Sequence, residues 1–527
     1  VDQTVGIKMG RLTPTYKKAI YDELVDNITA NTSQYYAFAS HPIPLPPNTA
    51  PDPVSADDYS VDFLNNWYML FGKKLQAKDF APLVFKNLWT PGQVWDRYDN
   101  RSNTVFANNR FYCLAPPTDP DGDYYFYKCI DNNNFGISNT NPSTHGTPMQ
   151  RTTFKTSDDY EWRYLARISA DTFGRFSTTD FSPIYTDPSV EADAFSYCSV
   201  DKVVVANAGI GYETWANGVI ASISNTTVLQ LDDNCKAINQ YYNNNAIYIY
   251  NSTSTSGQIF GIVDFYIKNN NKFVVLDGEA NTDNISPGTT QYDIAPAVIF
   301  ESDGFSPVGR IIISQVNNAN SIDRIQMLDT GSYISWCNVS IRTNPDYGYG
   351  ANIYAVVPPP GGHGANPAVE LDMVGYGINI SFVNSEGNTI PTDNLLYNKI
   401  GILKNPCVLQ DDGSKGIQYF NPTYNNIMVA NVQYTSYASG QSVYGANSNS
   451  RGYILYANTT QIWVVGDKTF ITGETLRNAN GTLLGKINIV TKGDIYTQDI
   501  TPIYAQNINN IARSNTQTES YKLILQI

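Results

Sequence analysis

The sequence predicts a mainly β protein. It reads as antiparallel β-sandwich or barrel domains with a few short N-terminal helices, and a middle β region inserted between N- and C-terminal parts. Three observations lead there. From about Asp187 to Asn478, short β-branched runs alternate with Asn, Gly and Ser turns every roughly 8–15 residues. Aromatics reach 13% of 527 residues, with 38 Tyr, while charged residues are only 16%, which disfavours both a helical bundle and a disordered chain. Two segments, Asp121–Asp131 and Asp158–Ile168, alternate aromatic and other residues as strands do. Tyr125, Tyr127 and Cys129 fall on one face of the first, and Tyr160, Trp162 and Tyr164 on one face of the second. Glu161, Arg163 and Arg167 occupy intervening positions.

The elements follow in order. Thr13 suits an N-cap, Pro14 suits the first helical position, and Thr15–Ile28 continue as a helix. Tyr16, Ala19 or Ile20, Glu23 or Leu24, and Ile28 mark its apolar side. A strand is expected at Gln34–Ala39, then Pro-rich extended chain from His41 to Pro53, then a second helix at Val61–Leu70. Gly257–Ile262 before Phe273–Asp277 resembles Gly309–Ile313 before Ile325–Asp329 at a constant offset of 52 (309 − 257 and 329 − 277), either a duplicated hairpin or a coincidence. Thr460–Ile489 reads as a compact β-barrel module. The domains are drawn at 1–186, 187–489 and 490–527, the last returning to the first.

Composition excludes several functions. A net charge of −14 without clustered Lys and Arg disfavours nucleic-acid binding, so no nucleic acid is expected as a partner. No apolar run approaches the roughly 18 residues of a membrane span, and Val1-Asp2-Gln3-Thr4 carries no signal pattern. The six Cys (113, 129, 198, 235, 337, 407) include no Cys-x-x-Cys pair, and buried free thiols from a reducing cytosol are expected. His41, His145 and His363 share no short spacing. His363 sits in Pro358-Pro359-Pro360-Gly361-Gly362-His363-Gly364, read as a structural or contact loop because it lacks the strand-to-helix setting and Lys of a phosphate loop. Asp119-Pro120-Asp121-Gly122-Asp123 has calcium-like alternation, yet Ile130 stands where the bidentate Glu belongs, so a turn before a strand is expected. Sequons at Asn225, Asn251, Asn458 and Asn480 are expected by chance in so Asn-rich a chain. No catalytic, cofactor-binding or metal residue is assigned, and no enzyme activity is expected.

The phrase Asp159-Tyr160-Glu161-Trp162-Arg163-Tyr164-Leu165 after Tyr127-Lys128-Cys129-Ile130-Asp131 resembles the baseplate wedge proteins encoded by gene 8 of T4-like bacteriophages. The order of elements agrees: N-terminal helix, Phe-bearing strand (Phe38), Pro-rich loop, Trp/Met-Leu helix, then Trp89, Gly92, Trp95 and Tyr98-Asp99 in a phrase like Trp-x-x-Gly-x-x-Tyr-x-x-Tyr-Asp, with Trp95 at the position of the first Tyr. The ending is similar too, with Gly493-Asp494-Ile495-Tyr496, Gln517-Thr518-Glu519 and a terminal apolar strand. The likeness covers roughly residues 12–180 and 490–527, whereas the middle matches only in texture. One departure is Ala39-Ser40-His41, where the family often has Gly-Arg, so no contact is carried over to that Arg.

The resemblance implies a virion structural protein of a contractile-tail baseplate, assembled in the bacterial cytoplasm. It implies a homodimer contacting other wedge proteins and, further out, tail fibre attachment proteins. The residues themselves leave two rivals open: a receptor-binding or lectin-like tail protein, supported by Tyr abundance, and a tail-associated polysaccharide hydrolase. Tyr160, Trp162 and Tyr164 are expected in the core, and loops of the middle region are expected to carry partner contacts.

Overall fold

The computed structural model is mainly β, with antiparallel sheets and a few short helices. It describes residues 12–40, 69–146, 148–212, 216–251, 257–305, 307–314, 320–343, 348–382, 395–410, 414–418, 427–431, 441–457, 461–466, 470–491, 502–513 and 517–527. Two compact units emerge: Val1–Pro82 with Val374–Ile527, and Leu83–Met373. Their joints fall at 82/83 and 373/374, whereas the change of sequence texture falls near 186 and 489. Texture reports the spacing of turns; contacts decide units.

In the first unit the helix Pro14–Thr29 begins as predicted, with Thr13 Oγ1 accepting from Tyr16 N at 3.4 Å. Its packed side is turned by about one residue from the expected one. Lys17, Tyr21 and Ile28 are buried, and Tyr16 is exposed. Tyr21 sets this orientation: its ring lies 6.1 Å from that of Tyr376 and its hydroxyl donates to Phe80 O at 3.3 Å. The Lys17 stem lies along the same stripe.

The strand Tyr35–Ser40 runs between Met69–Lys74 and Leu395–Lys404, and Pro502–Arg513 lies beyond the latter. Tyr36 through Ser40 are all buried, so side chains on both faces of this strand are covered. The Pro-rich stretch His41–Pro53 lies outside the described residues, as does the predicted second helix through position 68. Its last two residues, Met69 and Leu70, open a strand instead, because that backbone pairs with Tyr35–Ser40. At the C-terminus, Glu519–Gln526 pairs residue for residue with Gly375–Phe382.

The predicted barrel module is present and larger than Thr460–Ile489. Six strands between Ile427 and Thr491 close into a ring. Gln461–Gly466 pairs with both Arg451–Ala457 and Ile427–Asn431, and only the full ring buries Val443, Ile454, Val464 and Ile487 together.

In the second unit, Tyr112–Ala115, Tyr124–Asp131, Glu161–Ile168 and Phe154–Lys155 form a four-stranded sheet in that order. One face carries Tyr127, Cys129, Tyr160, Trp162 and Tyr164 into a single core with Trp89, Trp95 and Phe154, as the alternation predicts. Trp162 is fully buried, stacked on Tyr160 at 5.4 Å and edge-on to Trp95 at 6.3 Å. A seven-stranded sheet follows, whose first strand, Ala216–Asn225, also pairs with its sixth, Gln291–Ser302, so that the sheet curls back around Leu229, Tyr242, Ile247 and Phe265.

The 52-residue recurrence is a recurrence of hairpins without a common register. Gly257–Lys268 and Asn271–Leu276 turn through Asn269 and Asn270, both at positive φ (52° and 66°), the conformation of a two-residue type I′ loop. Val308–Ser314 and Ser321–Asp329 also pair. Ile262 faces Leu276, but Ser314, 52 residues on, faces Ser321 rather than Leu328.

Replacing Trp162 by Ala should lower the unfolding free energy by about 3–5 kcal/mol in denaturant titration. A variant within about 1 kcal/mol of the parent would remove Trp162 from the load of the core.

Candidate functional site: an aromatic surface above a buried charge network

The second face of the four-stranded sheet is buried as well, and it carries charge. Lys128 lies between Phe126 and Ile130 on that face, and Arg163 lies directly opposite Lys128 across the strands. Like charges in register repel, and burial removes the water that would screen them. Burial therefore pushes both cations toward their neutral forms, against the pull of two carboxylates, Glu370 and Asp201.

Those carboxylates arrive from separate segments. Glu370 ends the short helix Pro367–Glu370, and Asp201 immediately precedes the strand Lys202–Ile210. The Lys128 ammonium is paired with Glu370 Oε1 and sits 3.8 Å from the centre of the Tyr98 ring. His363 joins the acids: Nδ1 is 2.8 Å from Glu370 Oε1 and Nε2 is 2.9 Å from Asp201 Oδ2. Both contacts are hydrogen bonds when both ring nitrogens carry hydrogen. Gly364 N donates to Glu370 Oε2 at 2.7 Å. For Glu370, burial alone would raise the carboxyl; Lys128 and the His363 hydrogen bond outweigh it and hold it down at about 2.

The Pro-Gly-Gly-His-Gly segment can reach this place because of its glycines. Gly362 (φ 98°) and Gly364 (φ 77°) lie in the left-handed region, and a Cβ there would stand 2.4 Å from Ala194 O and 2.6 Å from Val190 Cγ1. The loop is structural, as its sequence suggests, and its His is the bridge of the network. Among the other histidines, His145 stacks on Phe154 at 4.3 Å, and His41 lies outside the described residues.

The network supports a surface. Arg163 Nη2 donates to Tyr197 O at 3.0 Å, fixing the 3₁₀ turn Ala194–Tyr197 that carries Phe195. Phe195, Phe305, Tyr333 and Trp336 are each 44–69% exposed. Tyr333 lies edge-on to both Phe195 (5.7 Å) and Phe305 (6.0 Å). Beneath them the loop is fixed: Ile334 is fully buried, its N–H donating to Cys198 O at 3.1 Å. Phe305 N donates to Ser332 O at 2.9 Å. Asp303 accepts from Ser335 N (2.9 Å), Trp336 N (3.3 Å) and Ser335 Oγ, and these bonds hold its carboxyl below the ordinary range. Tyr333 itself has φ 57°, a conformation that bulky residues rarely adopt and that persists only where its surroundings enforce it. Arg163, Tyr197, Asp201 and Ser332 also line one cleft of about 1160 Å³.

The exposed rings of Phe305, Tyr333 and Trp336 lie on loops at 303–305 and 330–336, within the middle region of the sequence. The network was not foreseen. Its signal was present: a Lys alternating with Phe126 and Ile130 on a strand whose other face is also apolar marks a doubly buried sheet. Asp119–Asp123 forms a turn before the strand Tyr124–Asp131, and among the described residues no group of three or more His, Cys, Asp or Glu is placed to hold a metal. All six Cys are free, five of them buried.

Glu370→Gln should destabilise the protein by about 3–5 kcal/mol at neutral pH, because it leaves Lys128 and Arg163 undercompensated. The carboxyl is depressed in the folded state, so its contribution is full above its ordinary value of 4.5 and is lost as pH falls toward about 2. The difference between parent and variant in denaturant titrations should therefore narrow across that window. A difference independent of pH would contradict the ionised Glu370. No family model and no curated protein matches the chain.

Proposed function

We propose that this chain is a structural subunit of a bacteriophage contractile-tail baseplate wedge. It would act as a homodimer, join neighbouring wedge proteins through loops of its second unit, and exchange contacts when the tail contracts. The observation that carries the reading is the shared order of phrases from both ends: Trp89 to Asp99, Tyr127 to Asp131, Asp159 to Leu165, and Gln517-Thr518-Glu519 before a terminal strand. The aromatic surface gives the reading a physical means. Aromatic side chains dominate binding energy at protein interfaces. Phe195, Tyr333 and Phe305 are exposed yet fixed by backbone hydrogen bonds and a buried ion network, so little ordering entropy opposes association. Switching between two packings requires only interfaces separated by a few kcal/mol, and no catalysis.

Light scattering on the purified chain tests the assembly state. A dimer supports the reading, and a stable trimer favours a receptor-binding fibre or spike instead. Phe305→Ser should leave folding stability within about 0.5 kcal/mol of the parent, since the side chain is mostly exposed. The same variant should weaken incorporation into reconstituted wedges by tenfold or more, on the order of 1.4 kcal/mol or above. Unimpaired incorporation would exclude this surface as a wedge contact.

A further inference from the structure

A second cavity, of about 300 Å³, lies within the second unit at the seam between two hydrophobic cores. It sits at the lower end of the roughly 300–1,000 Å³ usual for small-molecule sites. Ile259, Ile311 and Ile313 provide apolar wall, and the polar lining comes from Asn217, Asn234, Asp293 and Arg310.

Arg310 is held in place before any guest arrives. Its Nε donates to Gln326 Oε1 at 2.9 Å and its Nη1 to Asp293 Oδ2 at 3.0 Å. The guanidinium lies 4.1 Å from the Tyr248 ring centre, and Tyr248 is itself stacked on Tyr250 at 5.2 Å. The fork has further N–H donors beyond these two bonds. Asn234 is oriented by bonds from Nδ2 to Asp232 Oδ2 (3.2 Å) and Asn217 O (3.3 Å), with its side-chain carbonyl available as an acceptor. The lining thus combines hydrogen-bond donors and acceptors with an apolar wall. The one cation is matched by the Asp293 carboxylate, so the lining offers no surplus positive charge to a phosphate or carboxylate.

We propose that this cavity binds one neutral sugar ring, its vicinal hydroxyls bonded by Arg310, Asp293 and the two Asn amides, and its C–H face laid against the isoleucines. The volume suits one ring. The site is separate from the aromatic surface and stands whether or not the wedge reading holds.

Saturation-transfer NMR on the full chain, with glucose, galactose, mannose and N-acetylglucosamine each in turn, tests this. At least one should receive saturation, with a Kd around 1 mM. Asn234→Ala and Arg310→Lys should each weaken that binding roughly 10–100-fold, while circular dichroism and Tm confirm that both variants fold. No transfer to any of the four sugars would overturn the proposal. So would binding that survives both substitutions, or inorganic phosphate displacing the sugar at comparable concentration.

Discussion

Two cations, Lys128 and Arg163, face each other across adjacent strands in a sheet buried on both faces. Burial takes away the water that would screen them, and the Tyr98 ring beside Lys128 and the Tyr197 carbonyl bonded to Arg163 carry no full negative charge. Folding of the second unit must therefore deliver negative charge to that spot, and it does so from two distant segments through Glu370 and Asp201. His363, within hydrogen-bond distance of both acids, links the Lys128–Glu370 pair to Asp201. Replacing such a network wholesale with hydrocarbon can be neutral or stabilising, but breaking one member leaves a buried charge uncompensated. The network therefore specifies one packing of these segments more than it adds to total stability.

That specification reaches the surface through short covalent and hydrogen-bonded steps. Arg163 bonds the carbonyl of Tyr197, two residues from the exposed Phe195. Gly362 packs its backbone on Ala194, where a side chain would not fit. Cys198 in turn holds Ile334, beside Tyr333 in its left-handed conformation. Backbone hydrogen bonds and close packing position this aromatic surface, which is what the proposed role as an assembly subunit would use.

How far the sequence could be read follows from which signals are local. The alternation of Tyr125, Tyr127 and Cys129 against Tyr160, Trp162 and Tyr164 revealed a real core, because strand periodicity depends only on the next residue but one. Thr13-Pro14 revealed a helix start for the same local reason, but the packed side of that helix depended on Tyr376, more than three hundred residues away. Met69 and Leu70 read as helix until a partner strand claimed their backbone. The barrel was visible only in its last strands, since its first, Ile427–Asn431, is recognisable only through its pairings. Asp201, Lys128 and Glu370 look unremarkable alone in the sequence, since a buried ion network is a property of three-dimensional neighbours. The position of Lys128 between Phe126 and Ile130 was the one legible trace of it.

If the buried network holds the aromatic surface in place, amide hydrogen exchange on Glu370→Gln will show it. Exchange in residues 194–198 and 330–336 should accelerate on the order of tenfold or more, together with residues 363–372, while the strands of the 427–491 barrel keep their protection. Acceleration confined to 363–372, with 194–198 and 330–336 unchanged, would contradict it.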